Sequence, residues 1–346
     1  MMQVNQIFSE RLAAARKMKR MSMDALADAV GVSKNSISKY EKGSMMPNSS
    51  ILIKLCEALG MSVDYFFRDK MVDLGHVEFR KKSKLGKIII KSIHEHIKDF
   101  AERYIEVEKI LGIPTPVTLP LYNISCFGEA LDAAMELRNT WQLGTDGIVG
   151  LINLLESKGI KVIEIDGHPD FDGVSGIIDD QYYFIAVNRD YCSERKRFTL
   201  AHELGHLVLN ISPDLDKEKI CHSFANEFLL PSEVFNAIIG DKRHDISLNE
   251  LRSIQWAYGI SVDAQMMKAR SLDIISENRF ASFHKKKNFS LSFKADVELS
   301  VFPQENCGRF EALVYMALAK ELITMSKAAA LLGQSLEVVR KKLQLV

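Results

Sequence analysis

The chain has 346 residues, 47% of them hydrophobic, and a formal net charge of zero. That combination allows two or three domains with sizeable cores and excludes wholesale disorder. The five cysteines are scattered, odd in number and without a C-x-x-C pair, and no apolar run reaches the ~20 residues of a membrane helix, so the expectation is a cytoplasmic protein with no disulfide framework and no membrane partner.

Charge is uneven along the chain. Residues 1–70 hold 11 Lys/Arg against 7 Asp/Glu, and residues 76–91 hold six Lys/Arg against Glu78 alone. A positive N-terminal excess in a neutral chain points to nucleic acid. Ile7, Leu12 and Ala15 begin a helical pattern, and Met23 to Val30 is a second. Gly31-Val-Ser33 is a tight turn with Ser33 as N-cap, and Asn35 to Lys42 is a third helix, stopped by Gly43. Ile51 to Leu59 is a fourth, ended by Gly60. Two short helices joined by a three-residue turn containing Gly make a helix-turn-helix.

Leu26-Ala27, Gly31-Val32-Ser33, Ile37 to Gly43, Pro47 and Leu55 to Ser62 closely resemble the lambda-repressor/Cro-like (XRE) family, over about one fifth of the chain. In that family the second helix of the motif enters the major groove. The resemblance implies that Ser33, Lys34, Asn35, Ser38 and Lys39 face a double-stranded operator. Asn35 and Ser38 suit base edges, and Lys34 and Lys39 suit phosphates. A homodimer on a palindromic site is the family expectation. The chain departs from the family at Met23, where Gln usually touches phosphate and base.

Residues 68–91 read as a basic connector containing Phe79-Arg-Lys-Lys82, followed by a long helix over Ile88–Leu111. His94 and His96 lie in it at i,i+2, which do not share a face, so they argue against a metal site. Ile113-Pro-Thr-Pro116 and Pro120 mark a break. Ala130 to Glu156 is helical in pattern. Ile160–Ile165, Val174–Ile178 and Tyr182–Val187 read as strands, with Gly173, Gly176 and Asp179-Asp180 suited to turns.

Residues 202–206 read His-Glu-Leu-Gly-His, inside the apolar helical stretch Phe198–Leu209, with Ser193 as a possible N-cap and Glu194 in the first turn. On a helix His202 and His206 are one turn apart on one face and can hold a Zn²⁺ cofactor, with Glu203 beside them able to take a proton from an attacking water. Zinc needs a third protein ligand. The next helical segment, Glu218 to Pro231, offers Glu218 and His222 at i,i+4. Either supplies the ligand, and His222 could instead orient a zinc-bound histidine. Cys221 points to packing and Glu227 to solvent. For an oxyanion donor the sequence offers His222 and Tyr191.

Arg197-Phe-Thr-Leu-Ala-His-Glu-Leu-Gly-His206 with Phe224-Ala-x-x-Phe-Leu-Leu-Pro231, and upstream Leu137-Arg-x-x-Trp141 and Phe171-Asp-Gly173, resemble the ImmA/IrrE family of metallopeptidases over roughly residues 130–275. The family implies a site of two His and a Glu: His202, His206 and Glu218 as ligands, with Glu203 as catalytic base. Where the family often has Glu-x-Glu-Ala-Asn, this chain has Ile220, Cys221 and His222 at the last three positions.

Leu251–Ile254 and Tyr258–Val262 fall in a helical stretch over 246–275, strands are expected within 280–304, and Ile323–Gly333 followed by Leu336–Leu343 reads as helix, turn, helix. The expected fold is α+β and mostly helical. An all-α helix-turn-helix domain (1–70) and a connector with a long helix (71–125) precede a zincin-like metallopeptidase domain with a small sheet (126–275) and a C-terminal helical region (276–346). The expected function is a DNA-binding regulator that cleaves a repressor-type protein to control stress, mobile-element or toxin–antitoxin genes. The alternative is a non-catalytic XRE repressor or antitoxin whose peptidase-like domain senses a signal or binds a partner.

Overall fold

The computed structural model describes residues 2–68, 72–75, 85–113, 117–166 and 168–343. The basic run Phe79–Lys82 and the 114–116 break lie outside them. The fold is α+β and mostly helical. It forms two compact units, one of Met1–Pro116, Ile177–Tyr182 and Gly308–Val346, the other of Val117–Gly176 and Tyr183–Cys307.

The first unit opens with α1 (Met2–Met18), α2 (Met23–Val30), α3 (Lys34–Glu41), α4 (Ser49–Leu59) and α5 (Val63–Phe67). Ser22, Ser33, Asn48 and Ser62 each cap the helix that follows by accepting from a backbone N–H three residues on. Gly31 closes α2 in the left-handed region at φ 76°, so α3 turns off sharply. Phe8, Leu12, Leu26, Ile37, Leu55, Leu59 and Phe66 fill the core. Arg16 grips Glu41 with two hydrogen bonds, 2.6 and 2.9 Å, and so ties α1 to α3.

The long helix α6 (Lys87–Ile110) is a wall of this unit rather than a bare connector. Arg11 meets Glu102 at 2.7 Å with both side chains buried, and Glu102 also accepts from Arg68 (2.9 Å) and from the Val72 N–H (3.1 Å). Ser92 donates to the Met18 carbonyl at 2.8 Å. Tyr104 and Val107 of α6 pack with Phe310, Leu313 and Val314 of α16 (Arg309–Ala319), in a core completed by α17 (Met325–Leu332) and α18 (Leu336–Leu343). Residues 308–343 therefore share a core with α6, whereas 276–307 belong to the other unit.

The second unit holds two small sheets, except that the hairpin tip Ile177–Tyr182 counts with the first. β1 (Tyr122–Ile124) pairs in parallel with β5 (Leu209–Ile211), and β2 (Lys161–Ile165), β3 (Gly173–Ile178) and β4 (Tyr182–Asn188) lie in the order β2-β4-β3. β2 and β4 run parallel. Asp179 and Asp180, at φ 49° and 53°, make the two-residue turn from β3 to β4. The helical pattern of 130–156 is two helices, α7 (Phe127–Thr140) and α8 (Leu151–Ser157), parted where Gln142 and Gly144 take positive φ. They pack with β2, β4, α9 (Ser193–Val208) and α10 (Lys217–Leu229) into one core.

A second core gathers α11 (Ser232–Ile239), α12 (Leu248–Tyr258), α13 (Val262–Ser271), α14 (Glu277–Phe289) and α15 (Leu291–Glu298). The strands expected within 280–304 are not there. Ser276 and Ser290 cap α14 and α15, and Phe280, Phe283 and Val297 are buried from helices. Glu227 is likewise not solvated: it is buried and accepts from Ser232 N (2.7 Å) and Lys268 Nζ (2.7 Å).

The residues after α15 strap the start of α9. Glu194 is 2% exposed and accepts from Ser300 Oγ (2.5 Å), Val301 N (2.9 Å), Phe302 N (3.1 Å) and Gln255 Nε2 (2.7 Å). One turn on, buried Arg197 pairs with Glu305, donates to the Ile148 carbonyl (2.8 Å) and lies over the Phe302 ring. Burial opposes ionisation of Glu194, but the hydrogen bonds from Ser300, Val301 and Phe302 outweigh it and hold the carboxyl below its ordinary 4.5. Glu194→Ala should cost about 3 kcal/mol in urea denaturation at neutral pH, because several buried donors lose a charged acceptor. A depressed carboxyl contributes fully above its unfolded pKa and loses that contribution as pH falls through its folded value. The gap between wild type and variant should therefore hold steady above about pH 5 and close on acidification.

Candidate metal centre and nucleic-acid interface

α9 is buried along most of its length, and its second half carries His202, Glu203 and His206. α10 lies across it because Gly205 leaves room. A Cβ there would sit 3.2 Å from Phe224 Cδ1 and 3.4 Å from Cys221 Sγ. The other end of α10 is anchored by Arg138. This fully buried guanidinium donates to the carbonyls of Phe228 (2.6 Å), Gly144 (2.9 Å) and Asp146 (2.6 Å). Trp141 meets Phe228 edge-on, 6.0 Å between ring centres. These contacts give the Leu137-Arg-x-x-Trp141 and Phe224–Pro231 patterns their physical meaning.

His202 Nε2 and His206 Nε2 are 3.1 Å apart. Glu218 Oε2 lies 3.5 Å from the first, and its other oxygen, Oε1, 3.4 Å from the second. Three donors bonded to one tetrahedral zinc at 2.0–2.1 Å would be separated by about 3.3 Å, so the spacing fits that cation. Glu203 also has an oxygen within 4.8 Å of both imidazoles. Ser175 Oγ of β3 donates to it at 2.8 Å and holds it next to the two imidazoles. Burial works to lower the His206 pKa, but hydrogen bonding with Cys221 and Glu218 and the charge of Glu203 push it up to about 10.

His222 lies beside His202, 4.4 Å between ring centres, and stacks on Phe198 at 5.5 Å. Of the two oxyanion candidates, Tyr191 is committed elsewhere. Its hydroxyl donates to the Pro169 carbonyl at 3.1 Å, and burial together with Asp172 pushes it up to about 12. Cys221 is packed, as expected, yet its Sγ also lies 3.5 Å from His206 Nδ1. Ser175 was not legible in the sequence. Gly173 was, but for another reason than a turn: it begins β3 where the strand passes α9, and a Cβ would meet Thr199 Cγ2 at 2.6 Å and Glu203 Cγ at 3.3 Å.

On the first unit, α3 leaves Lys34, Asn35 and Lys39 exposed and Ser38 half-buried, while Ile37 and Tyr40 face the core. Ser33 is exposed and accepts from Ser36 N at 3.1 Å, so it shapes the helix start. Lys34 reaches Asp24 across the turn at 2.8 Å. Met23 is half-buried against the core.

Comparison with known proteins agrees with both halves of this description. Residues 12–66 match the family described as Helix-turn-helix, and residues 155–269 match a peptidase family described as IrrE N-terminal-like domain. The chain thus joins a helix-turn-helix of the XRE type to an IrrE/ImmA-like peptidase domain. The N-terminal part is similar to the uncharacterized HTH-type transcriptional regulator YqaE of Bacillus subtilis, 34% identical over 62 residues, 18% of this chain and 53% of that one. It is similar to the SPbeta prophage-derived uncharacterized regulator YonR of the same organism, 36% identical over 18% of this chain and 57% of that one. The transcriptional repressor RstR of the cryptic phage CTXphi of Vibrio cholerae is 40% identical over 16% of this chain and 49% of that one. The chain spans about half the length of these relatives.

Gly173→Ala should destabilise the protein by about 1–3 kcal/mol, the usual cost of overpacking against a neighbouring element. Gly128→Ala, with nothing within 4 Å of its Cβ, should melt at or above the wild-type temperature. Thermal melts of the two variants check this.

Proposed function

We propose that the chain is a cytoplasmic, DNA-binding transcriptional regulator whose IrrE N-terminal-like domain is a zinc endopeptidase acting on a repressor-type protein. The observation that carries this reading is the convergence of His202, His206 and Glu218 at 3.1–3.5 Å, with Glu203 alongside. Among the described residues no helix is long and apolar enough to cross a membrane. The relatives' names, among them a phage repressor and a prophage regulator, favour control of mobile-element genes.

His202, His206 and Glu218 would hold the zinc, which when bound polarises a scissile carbonyl and brings the pKa of water to about 7. Glu203, oriented by Ser175, takes the proton of the attacking water and passes it to the leaving amine. His222, exposed beside His202, donates to the developing oxyanion. On the first unit, Asn35 and Ser38 read base edges and Lys34 and Lys39 bind phosphates, with Ser33 at the helix start against the backbone. Two copies on a palindrome would place two such helices one helical turn apart. A regulator without turnover is the second reading, favoured by relatives that are all named as regulators.

Elemental analysis of purified chain should find about one zinc per chain, lost in Glu218→Ala and kept in His222→Ala. Glu203→Gln should keep the metal and lose control of a promoter reporter. A Glu203→Gln protein that regulates as wild type does would favour the second reading. On a selected operator, Asn35→Ala should cost about 1–3 kcal/mol of discrimination at one base pair. Lys39→Ala should weaken binding to all sequences alike and reduce the salt slope by about 1.

A further inference from the structure

We infer that Cys221 is a positioning residue for the metal site: its sulfur accepts the Nδ1–H of His206 and aims that ring's Nε2 at His202 and Glu218. The inference rests on the zinc reading above. His206 is held at both ends of its ring. Nε2 faces His202 Nε2 at 3.1 Å and Glu218 Oε1 at 3.4 Å, while Nδ1 faces Cys221 Sγ at 3.5 Å. A histidine that binds a cation through Nε2 is neutral and carries its proton on Nδ1, and that N–H needs an acceptor to fix the ring. The sulfur supplies it. Because it lies off the opposite ring nitrogen, it is not a fourth ligand to the same ion.

Three further observations support this role. Cys221 is fully buried, so a weak sulfur acceptor has no water to compete with. Gly205 lets the two helices approach until its own Cβ position is 3.4 Å from the sulfur, and a larger residue there would drive the thiol from the ring. Glu218 and Cys221 are also three residues apart on α10, one face of one helix. A single rigid element thus brings a carboxylate to Nε2 and an acceptor to Nδ1, so the two ends of His206 cannot be adjusted independently.

The test is zinc affinity of the full chain at a single neutral pH, by competition with a chromophoric chelator, for wild type, Cys221→Ala and Cys221→Val. Both variants should bind zinc about tenfold more weakly, the lower end of the range for losing such a partner. Zinc-loaded protein labelled with ¹⁵N-histidine should show an exchange-protected imidazole N–H resonance from His206, separate from that of the buried His202, and both variants should lose it. A packing role alone would leave that resonance in the volume-retaining valine variant. Unchanged affinity in a folded variant, or a resonance that survives, overturns the inference and leaves the zinc site standing. Absence of zinc binding by wild type overturns both.

Discussion

The close crossing of α9 and α10 is the constraint on which the second unit depends. Two imidazoles at i,i+4 supply two of the three donors of the proposed metal site, and the third has to arrive from another element at about 3.3 Å. Gly205 sets how near that element comes, and Phe224 and Cys221 fill the space it leaves. The crossing is then fixed from outside the site. Arg138 ties the last turn of α10 to the loop after α7, and Glu194 and Arg197 tie the first turns of α9 to residues 300–305. Side chains of a site must stay within a fraction of an ångström of a working arrangement, and rigid helices anchored away from the site hold them better than loops.

The first unit depends on a different device, a buried charge network. Burying Glu102 against Arg11 would be costly if either group were left partly unpaired. Glu102 instead accepts from two guanidinium groups and a backbone N–H, and Arg11 and Arg68 both lie against the Tyr65 ring, 5.5 and 5.4 Å from its centre. Such a network tolerates one registry of α6 against α1, since a shift of one residue would strand charges in the interior. α6 can then serve as the platform for α16–α18, whose apolar faces it covers.

What was legible in the sequence was local. Ser33 as a cap, Gly31 and Gly60 as stops, and Leu26, Ile37 and Leu55 as core follow from backbone chemistry and 3.6-residue periodicity, which need no distant partner. The strands around 161–188 read correctly because β-branched runs bounded by turn residues have few alternatives. The misreadings share a cause. Glu227 looks solvated until Lys268, 41 residues on, pairs with it. Residues 280–304 carry mixed polar and aromatic residues whose period is ambiguous without a core to face. Gly173 resembles a turn residue until Thr199 and Glu203 are placed beside it.

By itself the sequence determined that this chain carries a helix-turn-helix and two histidines on one helix face, because both motifs are written at spacings the α-helix imposes. For a third donor it offered Glu218 and His222, and the family resemblance favoured Glu218. Only the tertiary structure decided that Glu218 sits at 3.4–3.5 Å from both imidazoles while His222 stacks on Phe198, that Ser175 holds Glu203, and that the C-terminal helices return to α6. Those outcomes depend on how closely two elements approach, and on which distant charge or apolar face completes each one. Neither quantity is encoded in the spacing along a single helix or strand.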